Sequence, residues 1–322
     1  MSSDARILVL GMGPTTQAAL ESLVPRFEVC GVMRPEPDSV AAWARDAGLE
    51  VFATRRPAEV AGLVERLRPD AVVVSSYDRI LGPQLVSRCP FVNVHYAPLP
   101  RYRGRATVNW AIINGETETA MTVHCLEPEL DAGGILAQVP APIGPRDTVA
   151  DLYERLNDLQ RVALADAVER RLAGDRGTPQ DESRATYCCS RVPADGEIDW
   201  TASTTTVDRL VRGLSGPFPP AFTYSGTARV NVLRAHPVDA APRFEGGVPG
   251  RLVRVARDTG QIEVLTGDGV LSIDAVSTDQ GEEVAPATLV RSVRDTLGLR
   301  HDALLTRIEE LEAKLHGQPG GR

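Results

Sequence analysis

The chain has 322 residues, of which 43% are hydrophobic and 24% charged, with a formal net charge of -8. Its length exceeds one ordinary core and predicts two domains, while the acidic balance speaks against a nucleic-acid surface, which needs concentrated Lys and Arg. Five scattered cysteines without Cys-x-x-Cys spacing (Cys30, Cys89, Cys125, Cys188 and Cys189) argue against a disulfide framework or structural zinc site and predict free thiols in a cytoplasmic protein.

Residues 5–12 are an apolar run closed by glycine, and residues 15–24 continue at helical period, a strand-turn-helix opening. The alternation repeats as strand 28–33, helix 40–47, helix 58–67 and strand 70–75, which predicts a doubly wound, Rossmann-like parallel α/β sheet with helices on both faces. Strands are expected at 91–95, 121–126 and 135–139, then a long helix over 149–172. Composition turns polar around 174–182. A helical stretch from about 207 precedes short apolar segments at 228–233, 250–255, 262–266 and 270–276, separated by glycine-containing turns. That spacing predicts a small antiparallel barrel or sandwich. The expected division is therefore 1–185, a catalytic α/β domain; 186–205, a linker; 206–302, a smaller OB-like β domain; and 303–322, a helix and tail. Leu304, Ile308, Leu311 and Leu315 fall on one helical stripe, short of three heptads, and the expectation is a helix docked on its own domain rather than a dimer zipper, with a homodimer left open. Residues 317–322 read as a frayed end. No stretch approaches the roughly 18 consecutive apolar residues of a membrane helix, so neither a span nor a membrane partner is expected.

Gly11-Met12-Gly13 after the first strand invites a dinucleotide reading, but position 16 is Thr where the fingerprint needs its third glycine. A tight turn before a helix is the simpler reading.

The chemistry-bearing segment is Asn93-Val94-His95-Tyr96-Ala97-Pro98-Leu99-Pro100-Arg101-Tyr102-Arg103-Gly104. Positions two apart in a strand share a face, so Asn93 and His95 project together at the carboxyl end of the sheet, where open α/β sheets bind ligands. An amide donor beside an imidazole suits acyl transfer: one group can hold a developing oxyanion, the other can exchange a proton near neutrality. The same pair, taken alone, equally fits side chains that merely satisfy backbone groups. In Glu127-Pro128-Glu129-Leu130-Asp131-Ala132-Gly133-Gly134, Asp131 precedes a glycine loop between two predicted strands. It could reach that imidazole and raise its pKa, or simply open a turn.

With these residues in view, the stretch from Phe91 to Leu156 resembles the formyltransferases that use 10-formyltetrahydrofolate, a family acting on methionyl-tRNA, amino sugars and hydroxyornithine. The matching text is Asn93-x-His95, Leu99-Pro100-x-Tyr102-Arg103-Gly104, Asn109-Trp110-Ala111-Ile112-x-x-Gly115-Glu116, Asp131-x-Gly133-x-Ile135-x-x-Gln138 and Asp147-Thr148. The resemblance implies catalytic roles for Asn93, His95 and Asp131, with the asparagine and histidine stabilising the oxyanion and the aspartate moving the proton. It implies folate binding by the Tyr77-Asp78-Arg79-Ile80 loop with Leu99 and Gly133, and acceptor binding near Tyr96, Arg103, Arg105 and Trp110. No metal is required. Departures surround the triad: Tyr96-Ala97 stand where the family commonly has Gly or Asp then Ser, Thr107 replaces a usual proline and Ala120 a usual glycine.

The expected function is formyl transfer from 10-formyltetrahydrofolate to an amine, or hydroxylamine nitrogen, of a small molecule in a biosynthetic pathway. The alternatives are methionyl-tRNA formylation, hydrolysis of the formyl donor, and a binding protein that kept the fold without catalysis. Residues 33–39 are short and carry two acids where the tRNA enzymes resemble one another in a basic, glycine-rich insertion, so a nucleic-acid partner is not expected.

Overall fold

The computed structural model describes residues 3–34, 38–54, 56–278 and 281–316. Residues 35–37, within the short segment at 33–39, and the expected frayed end at 317–322 lie outside them. The chain forms two compact units, the first comprising most residues up to Ser190 and the second most of those from Arg191 onward. Among the described residues no helix is long and apolar enough to cross a membrane.

In the first unit, β1 (Ser3–Gly11), α1 (Pro14–Leu23), β2 (Phe27–Arg34), α2 (Ser39–Asp46), β3 (Val51–Ala53), α3 (Pro57–Leu67) and β4 (Ala71–Ser75) alternate, as expected except for β3, a short strand that the reading of two successive helices left out. The short helix α4 (Pro83–Val86), β5 (Phe91–His95), the two-residue β6 (Arg103–Gly104), α5 (Thr107–Ile113), β7 (Glu118–Cys125), β8 (Ile135–Pro142), α6 (Val149–Leu172) and the two-residue β9 (Tyr187–Cys188) follow. Seven strands make one sheet in the order β3-β2-β1-β4-β5-β7-β8. Ile7, Leu8, Val9 and Leu10 are all fully buried, the continuous apolar run of a strand covered on both faces. Leu8 and Leu10 join Val72, Val74 and Phe91 against Val60, Leu63 and Val64 of α3. On the opposite side α1 and α6 meet: the Ala165 amide donates to Ser22 Oγ at 3.2 Å, and Arg161 pairs with Glu21 at 2.6 Å.

The sheet is not parallel throughout. β1, β2, β3, β4 and β5 pair in parallel, but β7 runs antiparallel to β5 and β8 antiparallel to β7. Residues 96–117 return the chain to the end of the sheet at which β5 finishes, so β7 descends, and β7 joins β8 through a glycine loop with no crossover helix. Only antiparallel strands can be joined that way. The strand order reverses between β1 and β4, which opens a crevice at their carboxyl ends.

The second unit contains α7 (Thr204–Gly213), β10 (Ala221–Ser225), β11 (Ala228–Pro237), β12 (Leu252–Val255), β13 (Ile262–Leu265), β14 (Val270–Ser277), β15 (Glu283–Val284) and α8 (His301–His316). Its antiparallel sheet has the order β10-β11-β14-β13-β12, with β15 also on β14. Bridges from Ser225 to Leu297 and from Arg251 to Thr296 tie both outer strands to one short segment, giving the barrel-like closure expected of a small β domain. Trp200, Val207, Val211, Val232, Leu252, Val264, Leu271 and Ile273 are among its core residues. The last helix departs from expectation. Of the stripe, Leu304 is partly buried, but Ile308, Leu311 and Leu315 stand at 50%, 44% and 77% exposure.

Candidate active site

A cavity of about 700 Å³ opens at the carboxyl ends of β4 and β5, between the loops at 76–81 and 126–131 and the start of α1. That volume falls within the usual range for small-molecule sites. Asn93, His95 and Asp131 all line it. Strand geometry puts the first two on one face. Asp131 reaches them because its loop leaves β7 beside Phe91, where the Leu126 amide donates to the Phe91 carbonyl at 3.0 Å, and then climbs back along the sheet.

Two close contacts hold that climb. The Cys125 amide donates to the Gly134 carbonyl at 2.9 Å, and a Cβ on Gly133 would lie 1.9 Å from the Cys125 carbonyl oxygen. Gln180 ties the loop from the other side, its Nε2 donating to the carbonyls of Asp131 at 2.7 Å and Gly133 at 2.8 Å. Asp131 has a left-handed backbone, φ 50°, a conformation that Asp tolerates better than most residues. Ser76 and Ala106, also on the cavity wall, share it at φ 63° and 55°. Each costs on the order of 1 kcal/mol, and such strain gathers where structure over-determines a site.

The Asp131 carboxylate is the hub. It accepts the Gly104 amide at 2.9 Å, sits 3.6 Å from His95 Nδ1 and 3.7 Å from His124 Nε2, and lies 3.4 Å from the Asn93 amide nitrogen. His95 Nε2 is 2.8 Å from the Tyr102 carbonyl. A carbonyl can only accept, so Nε2 carries a proton and Nδ1 is the nitrogen turned to Asp131.

His124 completes the cluster and was not foreseen as a site residue. It is 1% exposed, and the β5–β7 register places it directly opposite Asn93. Its Nδ1 is 2.8 Å from the Cys125 carbonyl and therefore carries the proton. Burial pushes the imidazole pKa down to about 4, outweighing the nearby Asp131 charge. The ring is neutral, and its bare Nε2 accepts from Asn93 Nδ2 at 3.0 Å. Nothing local in the sequence marks this pairing; only the antiparallel register makes it.

The other expected residues divide. Tyr77, Asp78, Arg79 and Ile80 line the cavity, as do Tyr96 and Arg105. Arg105 donates to the Asp78 carbonyl, joining the two groups. Tyr96 presents its ring, but its hydroxyl is held at 2.7 Å by Asn157 and 2.6 Å by Gln160 of α6, and the hydroxyl of Thr107 donates to its carbonyl at 2.8 Å. Four expected binding residues do not form the cavity wall. Arg103 is 1% exposed and its guanidinium is taken up by Gln180 at 2.8 Å and Glu182 at 2.6 Å. Trp110 donates from its indole nitrogen to the Cys189 carbonyl at 3.0 Å. Leu99 is buried with its carbonyl accepting from Gln138, and Gly133 serves the close approach to Cys125. These residues build the wall from behind.

Residues 32–168 match the family Formyl transferase, and residues 192–294 match Formyl transferase, C-terminal domain. Among solved structures, a variant of HypX from Aquifex aeolicus is 21% identical with a TM-score of 0.68 over 89% of this chain. HypX in complex with tetrahydrofolic acid is 21% identical with a TM-score of 0.65 over 90% of this chain. This chain spans about half of those HypX structures, 47% and 48%. The N-formyltransferase from Helicobacter canadensis, in complex with folinic acid and dTDP-3-aminofucose, is 17% identical with a TM-score of 0.64, covering 85% of this chain and 100% of that one. At these identities the structures speak to the fold. The two family matches, one on each side of the junction between the units, speak to the whole: the chain belongs to the formyltransferase family.

Proposed function

We propose that the protein transfers the formyl group of 10-formyltetrahydrofolate to the nitrogen of a small-molecule amine. The observation that carries this reading is the convergence of Asn93, His95 and Asp131, backed by His124, on one wall of a cavity large enough for a small ligand. The cavity's chemistry suits a folate donor: Val74, Tyr77, Ile80, Leu81, Val94 and Leu126 offer apolar area to an aromatic ring system, interleaved with the polar groups of Asp78 and Arg79. Tetrahydrofolic acid in HypX and folinic acid in the Helicobacter canadensis enzyme, as those structures are described, support a folate-type donor. The dTDP-3-aminofucose in the latter and the net charge of -8 support a small acceptor over a tRNA.

The neutral amine attacks the formyl carbon, the new C–N bond forms as the bond from carbon to N10 breaks, and the amine proton passes to N10. Asn93 supplies an oxyanion donor. Its Nδ2 is oriented by His124, and its second N–H, at 3.4 Å from Asp131 the weaker of its two contacts, turns to the formyl oxygen as negative charge develops there. One such donor is worth ~10² to 10³ in turnover. Asp131 receives the amine proton and delivers it to N10. His95 is anchored through Nε2 on the Tyr102 carbonyl; when protonated it turns an Nδ1–H to the Asp131 carboxylate and adds positive charge beside the oxygen.

The experiment is mass spectrometry of reactions containing the purified protein, 10-formyltetrahydrofolate and a panel of nucleotide-linked amino sugars, hydroxyornithine and charged initiator tRNA. The expected result is the gain of one formyl group on a small acceptor, absent with Asp131→Ala. Formylation of the tRNA alone, or formate release independent of any amine, would replace this reading with another.

A further inference from the structure

α8 is a helix without a tertiary reason to be one. Every side chain from Leu305 to Leu315 is exposed, and an isolated helix of 16 residues is marginal in water, because most helical stability in proteins comes from packing an apolar face. Here that face is present and, from Ile308 on, uncovered, with Leu304 partly buried. Leu304, Ile308, Leu311 and Leu315 recur at steps of four, three and four, the spacing of alternating d and a positions of a heptad.

We infer that α8 pairs with α8 of a second copy of this chain as a parallel two-stranded coiled coil. Three features select this occupant. The a position at the centre is the β-branched Ile308 and the neighbouring d positions are Leu304 and Leu311, the combination that favours two strands over three or four. The flanking charges then select direction. With Ile308 at a, Arg307 and Lys314 occupy g, and Leu305 and Glu312 occupy e. In a parallel pair each g residue faces the e residue five positions on, so Arg307 meets the partner's Glu312, twice by symmetry. An antiparallel pair would set g against g, placing Arg307 and Lys314 opposite the same basic residues of the partner. Within one chain Arg307 already bonds to Glu310 at 2.9 Å; both groups are about half exposed, so that contact is weak and does not hold Arg307 from the seam. The third feature is the twofold itself: a parallel pair is isologous and closes as a dimer, with no surface left for further growth.

Sedimentation of the full chain tests this. The wild type shifts from one chain mass towards two with rising concentration, and the double variant I308E/L311E stays monomeric with an unchanged circular dichroism melt of the remaining fold. Glu312→Arg weakens the dimer about threefold at low salt, as two lost exposed pairs would, and adding Arg307→Glu restores it. Orientation is read with Leu315→Cys. A parallel seam places the two sulfurs side by side, so mild oxidation yields a covalent dimer in excess of any wild-type background from Cys189. An antiparallel seam would hold them about 20 Å apart. A wild type that is monomeric at every concentration, a dimer that survives I308E/L311E, or no excess crosslinking by Leu315→Cys would each overturn the inference.

Discussion

The side-chain amide of Asn93 donates to an imidazole that cannot donate back. Its Nδ2 lies 3.0 Å from His124 Nε2, and that nitrogen is unprotonated because Nδ1 is committed to the Cys125 carbonyl at 2.8 Å. The amide is thereby locked with nitrogen, not oxygen, toward Asp131. An ordinary asparagine can flip its two ends at little cost; this one would meet a lone pair with a lone pair.

On the proposed mechanism His124 is therefore a positioning residue for the oxyanion donor. His124→Phe is expected to lower kcat by about 10² with the KM for the folate donor nearly unchanged. His124→Gln, whose Oε1 can accept from the same N–H, should recover much of that loss. Steady-state kinetics of the two variants separate this role from simple packing, which Gln would not rescue.

The same ring makes stability depend on pH. The folded imidazole titrates near 4, whereas an exposed one does so near 6.5, so between those values the unfolded chain binds the extra proton. Stability is full above about 6.5 and declines as pH falls toward about 4, by on the order of 3 kcal/mol from this group. Urea unfolding across that window should show the wild type losing stability more steeply than His124→Phe, which lacks the titrating group.

Asp131→Asn should retain the fold, since Asn accepts the left-handed backbone at φ 50° at least as readily as Asp. It keeps an oxygen for the Gly104 amide but cannot take the amine proton. Turnover is expected to fall by ~10² to 10⁴ with the melting temperature within a few degrees of wild type. Retained turnover would move proton transfer to another group.

Arg103→Ala separates a wall-building role from an acceptor-binding one. Its guanidinium joins the 103–104 strand to Gln180 and Glu182, and Gln180 in turn holds the carbonyls of Asp131 and Gly133. Loss of this hydrogen-bonded guanidinium, whose carboxylate partner Glu182 is exposed, is expected to destabilise the protein through the lost bridge to Gln180 and to lower kcat, with little change in acceptor KM. A large KM effect without loss of stability would return Arg103 to the cavity.

Much of the fold was legible because apolar period and glycine punctuation decide local structure. The strands at 5–12, 28–33 and 70–75 and their helices follow from it, though not the short β3, and the two-residue step from Asn93 to His95 is enough to put both on one face. What was not legible depends on partners remote in sequence. His124 matters only through the antiparallel register with β5, and an alternating βα reading does not contain that reversal. Arg103 and Trp110 look like surface groups beside a cavity until residues 180–189 fold against them. α8 shows the opposite failure: a stripe too short to be read as an interface was expected to find cover locally, and the exposure of Ile308, Leu311 and Leu315 says otherwise, with only Leu304 partly buried.

Because β7 descends, the carboxylate at 131 starts its path from the far end of the strands and is carried back to the amide at 93 by a strut of fixed length. Had that strand run upward, Asp131 would sit on a crown loop free to grow or shrink, as loops at the mouths of parallel sheets do. Here one added or deleted residue between Leu126 and Gly134 would shift the strut against the Cys125 carbonyl and take the carboxylate out of reach of its partners.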